Sequence, residues 1–424
     1  MKEPGEKITG YHWIMFLICF LATALAGTVS TLMSVYLPVA VKDVMGHQDP
    51  GQFNRISGYI NSVFILGAAF GGLFAGWISD RWGRKTAVIF SIACYGTFTI
   101  VNGYMPHWWG IVACRFLSGV GMGAVLVTTT TLMMEEWPVR SRAIFMGILS
   151  ISFPVGIFSA GVIDLFVSSW RQAFLVGIIP VIIAFLSIFL LRESVSWKLS
   201  RSVFTRKATG LMRPAKQIRL NLLKGSLIFG TMLIGLWAVF SWLPTWIQTL
   251  VKEGDGQNER GLSMMMLGMG GLVGGFISGW IINALGLRKS MLLCFGICAL
   301  FSLLLFKTNN EIKPLVYAGI LIIALAFGIS QGVLSVYIPL LFPVAVRGRA
   351  TGFCFNIGRF FTAAAVLFVG VLVSELGGYG SALFAFSFIF LAGFLVLLLT
   401  PDEPAVSEAE PTGQVAEQII LKNN

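Results

Sequence analysis

Charge is what this sequence has least of. Asp, Glu, Lys and Arg make up 12% of 424 residues, against 56% hydrophobic residues, too little polar surface for a soluble globular chain of this length. Histidine is nearly absent: His12, His47 and His107 are the only three, and none stands at metal-ligand spacing from a cysteine. The six cysteines, Cys19, Cys94, Cys114, Cys294, Cys298 and Cys354, all fall inside apolar runs. That excludes a disulfide framework and leaves them as small buried hydrophobes. No phosphate loop, hydrolase or kinase constellation occurs, so neither an enzyme nor a cofactor is expected.

What is present is long uncharged sequence. Residues 8–41, 56–79, 143–163, 172–191, 225–251, 261–287, 314–346 and 376–401 contain no Asp, Glu, Lys or Arg, and most of these runs exceed the ~20 residues that span a bilayer as helix. Pro106-His107 separates a third span from a fourth carrying Arg115, residues 290–306 make a short ninth, and residues 350–374 make an eleventh interrupted by Arg359. The count is twelve transmembrane helices in an all-α membrane protein. The first is too long and lacks the small-residue cleavage site of a signal peptide, so it reads as retained.

The net charge of +11 is distributed for a membrane rather than for nucleic acid. With both termini cytoplasmic, 21 of the 30 Lys and Arg lie in inner loops and tails, 7 lie in outer loops, and Arg115 and Arg359 lie in the membrane. This asymmetry orients a multi-pass protein of the plasma (inner) membrane with both ends inside. Residues 192–224, with nine basic residues against Glu193 alone, divide a six-helix bundle at 1–191 from another at 225–401. The segment reads as a positive-inside linker, or as a contact for anionic lipid. The tail at 402–424 is rich in Glu and Pro and reads as disordered. A monomer is expected.

The two halves repeat. GGLFAGWISDRWG at 71–83 matches GGFISGWIINALG at 274–286 at an offset of 203 residues, and WPVRSRA at 137–143 answers FPVAVRGRA at 342–350. Gly67, Gly71, Gly72 and Gly76 give the second helix a smooth face for close packing. Six-helix repeats place a substrate site between the halves near mid-membrane, with helices 1, 4, 7 and 10 lining the cavity.

GWISDRWGRK at 76–85 resembles the G-x-x-x-D-R-x-G-R-K signature of the major facilitator superfamily, and the resemblance covers essentially the whole chain, including RFLSGVGMG at 115–123. RESVSW at 192–197 looks like the E-S-x-x-W segment after helix 6 of the sugar and metabolite porters, and YIPLLFPVAVRGRATGF at 337–353 is similar to their Y-x-P-E-L-F-P stretch. The likeness within the superfamily is to symporters of organic acids, the sialate and aromatic-acid groups included.

The resemblance implies a cytoplasmic gate. Gly76, Asp80, Arg81, Gly83, Arg84 and Lys85, with Glu135 and Arg142, would form its N-terminal half. The C-terminal half departs from the pattern, since Asn283 stands at the Asp position and Leu340 at the Glu position, while Arg288, Lys289, Arg347 and Arg349 remain. An asymmetric lock is expected, with basic residues facing carbonyls, helix C-termini or acids of the other half.

A membrane arginine marks a function by default. Arg359, near mid-membrane beside Asn356, is the candidate for an anionic substrate, because its planar fork fits a carboxylate. Arg115 is read as structural, as coupling, or as a substrate contact. Tyr36, Asn61, Trp237, Trp242, Gln331 and Tyr337 are candidate cavity residues. No acid lies within helix 1 or helix 7, so proton coupling, which the resemblance implies, would fall to Asp164 or Glu375, or the substrate would bring its own proton. The expected function is transport of a small organic anion by alternating access, as proton-coupled uptake. Export of amphipathic compounds and a receptor that binds without flux are the alternatives.

Overall fold

Inside a bilayer no water is available to the backbone, which must satisfy its hydrogen bonds internally as helix. The computed structural model describes residues 8–46, 50–194, 197, 216–342 and 347–400. Twelve helices there are long and apolar enough to cross a membrane: α1 Gly10–Met45, α2 Gly51–Trp82, α3 Arg84–Gly103, α4 Trp108–Glu136, α5 Val139–Phe166, α6 Trp170–Leu190, α7 Ile218–Leu250, α8 Gln257–Leu285, α9 Leu287–Thr308, α10 Pro314–Leu340, α11 Ala350–Glu375 and α12 Tyr379–Leu399. Among the described residues there is no strand.

Three boundaries differ from the sequence reading. The helix of α7 begins at Lys216, inside the segment read as linker, because basic residues such as the exposed Arg219 can carry helix into water with their heads solvated. For the same reason α9 starts at Leu287 rather than residue 290 and takes Arg288 and Lys289 into its first turn. Span α5 is two pieces, Val139–Ser150 and Ser152–Phe166, meeting at Ile151. Pro154 has no N–H to offer the carbonyl of Ser150, which interrupts the ladder there. Most of the linker and the tail at 402–424 lie outside the described residues.

Glycines set the packing inside each half. A Cβ on Gly67 or Gly71 would lie 2.2 or 2.0 Å from the carbonyl oxygens of Phe116 and Val120, and one on Gly119 or Gly123 would lie as close to those of Phe64 and Ala68. Thus α2 and α4 touch backbone to backbone, which only glycine permits. The repeat reproduces the joint: Gly274 sits against the Leu325 carbonyl and Gly328 against that of Gly271, bringing α8 onto α10.

Among the described residues, the close glycine contacts between the halves gather toward one end. At the end carrying the turns after α1 and α7, here the far end, Gly58 packs on Leu367, Gly161 on Gly261, Gly268 on Phe158 and Gly370 on Asn54. At the opposite end, which carries residues 80–85 and the basic segment, a Cβ on Gly76, Gly147, Gly279 or Gly352 meets nothing within 4 Å. The interior is therefore closed at the far end and open toward the basic end.

Candidate functional site

A cavity of about 350 Å³ lies between the halves, within the range of small-molecule sites. Its walls come from α2, α4, α5, α7, α8, α10 and α11. Helix α1 contributes no wall residue, in contrast to the expected lining by helices 1, 4, 7 and 10. The lining is mostly apolar, with Phe229, Leu233 and Phe240 of α7 and Phe327 of α10 facing Ile157 of α5. Polar side chains interrupt it: Trp237, Gln331 and Arg359, with the hydroxyls of Ser150 and Ser335.

Arg359 has room because α2 presents a glycine to it. A Cβ on Gly72 would stand 2.7 Å from Arg359 Nη1 and 3.1 Å from Asn356 Oδ1. Gly72 therefore faces the other half, while Gly67 and Gly71 face α4. Asn356 donates through Nδ2 to the Gly352 carbonyl, and its Oδ1 is buried with no partner. Arg359 forms no ion pair with any described residue. A half-buried guanidinium in an apolar wall, beside an unsatisfied amide oxygen, is a place where an anion or water is required.

The other membrane arginine is differently placed. Arg115 is 2% exposed, donates from Nη1 to the Val29 carbonyl and from Nη2 to that of Ser30, and lies 3.7 Å over the Phe64 ring. It fastens α4 to α1 and does not line the cavity. Four more sequence candidates, Tyr36, Asn61, Trp242 and Tyr337, also sit away from it. The Tyr36 hydroxyl donates to the Val167 carbonyl, Asn61 Nδ2 to that of Ser241 and Trp242 Nε1 to that of Val366. Tyr337 is buried, with Lys224 Nζ 5.9 Å from its ring.

At the basic end the N-terminal half carries a connected ionic cluster. Arg84 donates from Nη1 to Asp80 Oδ1 at 2.6 Å and from Nε to Glu135 Oε1 at 2.9 Å. Glu193, which sequence reasoning saw only as the lone acid of a basic segment, accepts from the backbone N–H groups of Arg84 and Lys85 at 2.6 and 3.1 Å, capping α3 at its positive end. Gly83 makes this possible, with φ of 103° and a Cβ position 2.2 Å from the Glu193 carboxylate. Ser194 donates to Glu135 Oε2 and Trp197 Nε1 to the Asp80 carbonyl. The remaining basic residues bind locally: Lys85 Nζ donates to the Ile188 carbonyl, Arg142 to that of Trp137, and Arg81 stacks over Trp77.

The C-terminal half has no matching ionic cluster among the described residues. Arg288 donates to the carbonyls of Leu397 and Leu398, the unpaired C-terminal groups of α12. Asn283 and Lys289 are exposed. The Arg349 side chain lies outside the described residues.

Of the two acids considered for coupling, Glu375 is exposed and Asp164 is fully buried. Asp164 on α5 faces Arg260 on α8, Oδ1 to Nη2 at 3.9 Å, and its backbone carbonyl accepts from Gln257 Nε2. Arg260 donates from Nη1 to Gln248 Oε1 and to the Asp255 carbonyl. Sequence reasoning counted Arg260 among outer-loop charges; the structure buries it in the first turn of α8. The available signal was that both charges stand just beyond the outer ends of uncharged runs, at matching depth. A second far-end link joins Asn54 to Ser374, Nδ2 to Oγ at 3.3 Å, and to the Tyr379 hydroxyl.

The sequence model of the Major Facilitator Superfamily matches residues 19–361 and, in a second match, 257–423. The cis,cis-muconate transport protein of Acinetobacter baylyi is 27% identical over 392 residues, covering 88% of this chain and 91% of that protein. The 4-hydroxybenzoate transporter PcaK of Pseudomonas aeruginosa is 24% identical, with 84% and 85% covered, and the sialic acid transporter NanX of Escherichia coli is 27% identical, with 81% and 84% covered. Among solved structures, a D-xylose-proton symporter superposes with a TM-score of 0.75 at 16% identity over 92% of this chain and 97% of that one. The inward-open xylose transporter XylE of Escherichia coli gives 0.76 at 14% identity over 93% and 98%.

Proposed function

This chain belongs to the major facilitator superfamily, and we propose that it carries a small organic anion with an aromatic or aliphatic body across the plasma (inner) membrane by alternating access. The observation that carries the reading is Arg359, set in the apolar cavity wall beside Asn356 with no ion-pair partner among the described residues. The guanidinium takes the carboxylate, Gln331 and Trp237 offer further polar contact, and the phenylalanine walls take the rest of the molecule. Relatives that bear the names of muconate, 4-hydroxybenzoate and sialic acid transporters support an anion of this kind. Export of a neutral amphipathic compound is the weaker reading, because such a ligand would leave Arg359 unsolvated.

With the basic end cytoplasmic, the conformation described here is open to the inside. Uptake is proton-coupled, and Asp164, the one fully buried carboxylate among the described residues, is the acid that changes surroundings when α5 and α8 part. The protein acts as a monomer. Proteoliposome counterflow with cis,cis-muconate, 4-hydroxybenzoate, nicotinate and N-acetylneuraminate tests this reading. Saturable exchange of at least one acid supports it, and binding without exchange would make the protein a receptor.

A further inference from the structure

We infer that a second cavity, at the far end between α1, α2, α7 and α12, is a receiving site for the substrate's carboxylate before the far end opens; the inference rests on the organic-anion reading above. This cavity of about 620 Å³ is separate from the central one and shares no wall residue with it. Lys42 of α1 lines it, exposed and without an ion-pair partner among the described residues. Thr245 of α7 is 2% exposed, and its Oγ1 is buried in the wall without a hydrogen-bond partner. An ammonium from α1 and an unsatisfied hydroxyl from α7 lining one cavity suit a carboxylate, while Phe53 and Tyr379 supply ring surface for its body.

Two further polar wall residues, Asn54 and Gln248, belong to the far-end links. Asn54 accepts from Tyr379 and donates to Ser374, joining α2 to the other half. Gln248 accepts from Arg260, the residue that faces Asp164 across the seam. A carboxylate, which only accepts, competes with the Asn54 links by drawing Asn54 Nδ2 from Ser374 or the Tyr379 hydroxyl from Asn54. Arrival of substrate from the far side thereby weakens the closure that bars its way, whereas substrate arriving from the basic end reaches the central cavity without passing these groups.

The test is transport of cis,cis-muconate and 4-hydroxybenzoate, measured separately from each face in right-side-out and inside-out vesicles. Lys42→Gln, at an exposed position, and Thr245→Val, nearly isosteric, are compared with wild type. The inference predicts that KM from the far side rises about tenfold in Lys42→Gln, the loss of one charge-assisted contact, and several-fold in Thr245→Val. KM from the basic side stays within a factor of two in both. Unchanged far-side KM in Lys42→Gln, or an equal rise on both sides, overturns the receiving site and leaves the central site standing. Absence of any saturable transport of these acids by wild type overturns the organic-anion reading, and the receiving site with it.

Discussion

Arg260 and Asp164 face each other across the seam between the two halves, Nη2 to Oδ1 at 3.9 Å, with 2% and 0% of their side chains exposed. The pair exists only while α5 and α8 are together, so it stabilises one conformation of the transporter selectively. Removing one partner of a buried pair costs about 3–5 kcal/mol, and a shift of that size inverts a two-state population. Arg260→Gln strands the carboxylate and is expected to open the far end. Asp164→Asn combined with Arg260→Gln is expected to restore much of the closure. Spin labels on Tyr104→Cys and Lys252→Cys, exposed positions on opposite halves, report the far-end distance. An unchanged distance distribution in Arg260→Gln would show that the pair does not act as a latch.

The proposed proton coupling through Asp164 has its own signature. The groups around it are Arg260 and Gln257 of α8, Asp255 in the preceding turn, Gln248 of α7 and Tyr36 of α1. An inwardly directed proton gradient is expected to accelerate uptake by wild type and by Glu375→Gln, and to have no effect on Asp164→Asn, which retains exchange of substrate for substrate. Gradient-driven accumulation by Asp164→Asn equal to wild type would remove this residue from coupling.

The glycines of α2 separate packing from function within one helix. Gly71→Ala drives a methyl group into the Val120 carbonyl and is expected to cost about 1–3 kcal/mol, the range for overpacking, read as a lower melting temperature. Gly72→Ala meets the mobile end of Arg359 instead, so it is expected to weaken substrate binding with little change in melting. Gly76→Ala meets nothing and should leave the conformation described here unaffected.

The twelve helices were legible because charge is nearly absent from them, and a run free of Asp, Glu, Lys and Arg has few other places to fold. Arg359 was legible for the complementary reason, as a lone charge inside such a run. Arg115 carries the same signal, yet its partners are the carbonyls of Val29 and Ser30, and a backbone acceptor leaves no mark in sequence. Arg260 was misplaced because a charge at a helix end reads as a loop residue. The links from Asn54 to Ser374 and from Asn61 to Ser241 join residues far apart in the chain, and periodicity names a face without naming what it meets. Glu193 was seen only as the lone acid of a basic segment, because its partners are backbone N–H groups that only the turn at Gly83 exposes.

The gate asymmetry gives a further prediction. Asp80 is 75% exposed beside Arg84, so this pair contributes only about 1 kcal/mol or less to folding. Asp80→Asn is expected to slow transport while leaving the melting temperature within a few degrees, whereas Asn283→Asp, on the half without an ionic cluster, keeps wild-type flux. Equal loss of flux in both variants would mean that the two halves contribute alike.

The central claim is that Arg359 holds the substrate's carboxylate, and affinity for a matched acid and its neutral amide tests it most directly. In wild type the acid is expected to bind more tightly. Arg359→Lys keeps the charge and loses the two-pronged fork, so it should weaken the acid several-fold. Arg359→Gln should weaken it about 10- to 100-fold, as expected for losing hydrogen bonds to a charged group, and bring acid and amide to similar affinity. If 4-hydroxybenzoate loses no more affinity than 4-hydroxybenzamide in Arg359→Gln, the arginine serves the fold and the anion is held elsewhere.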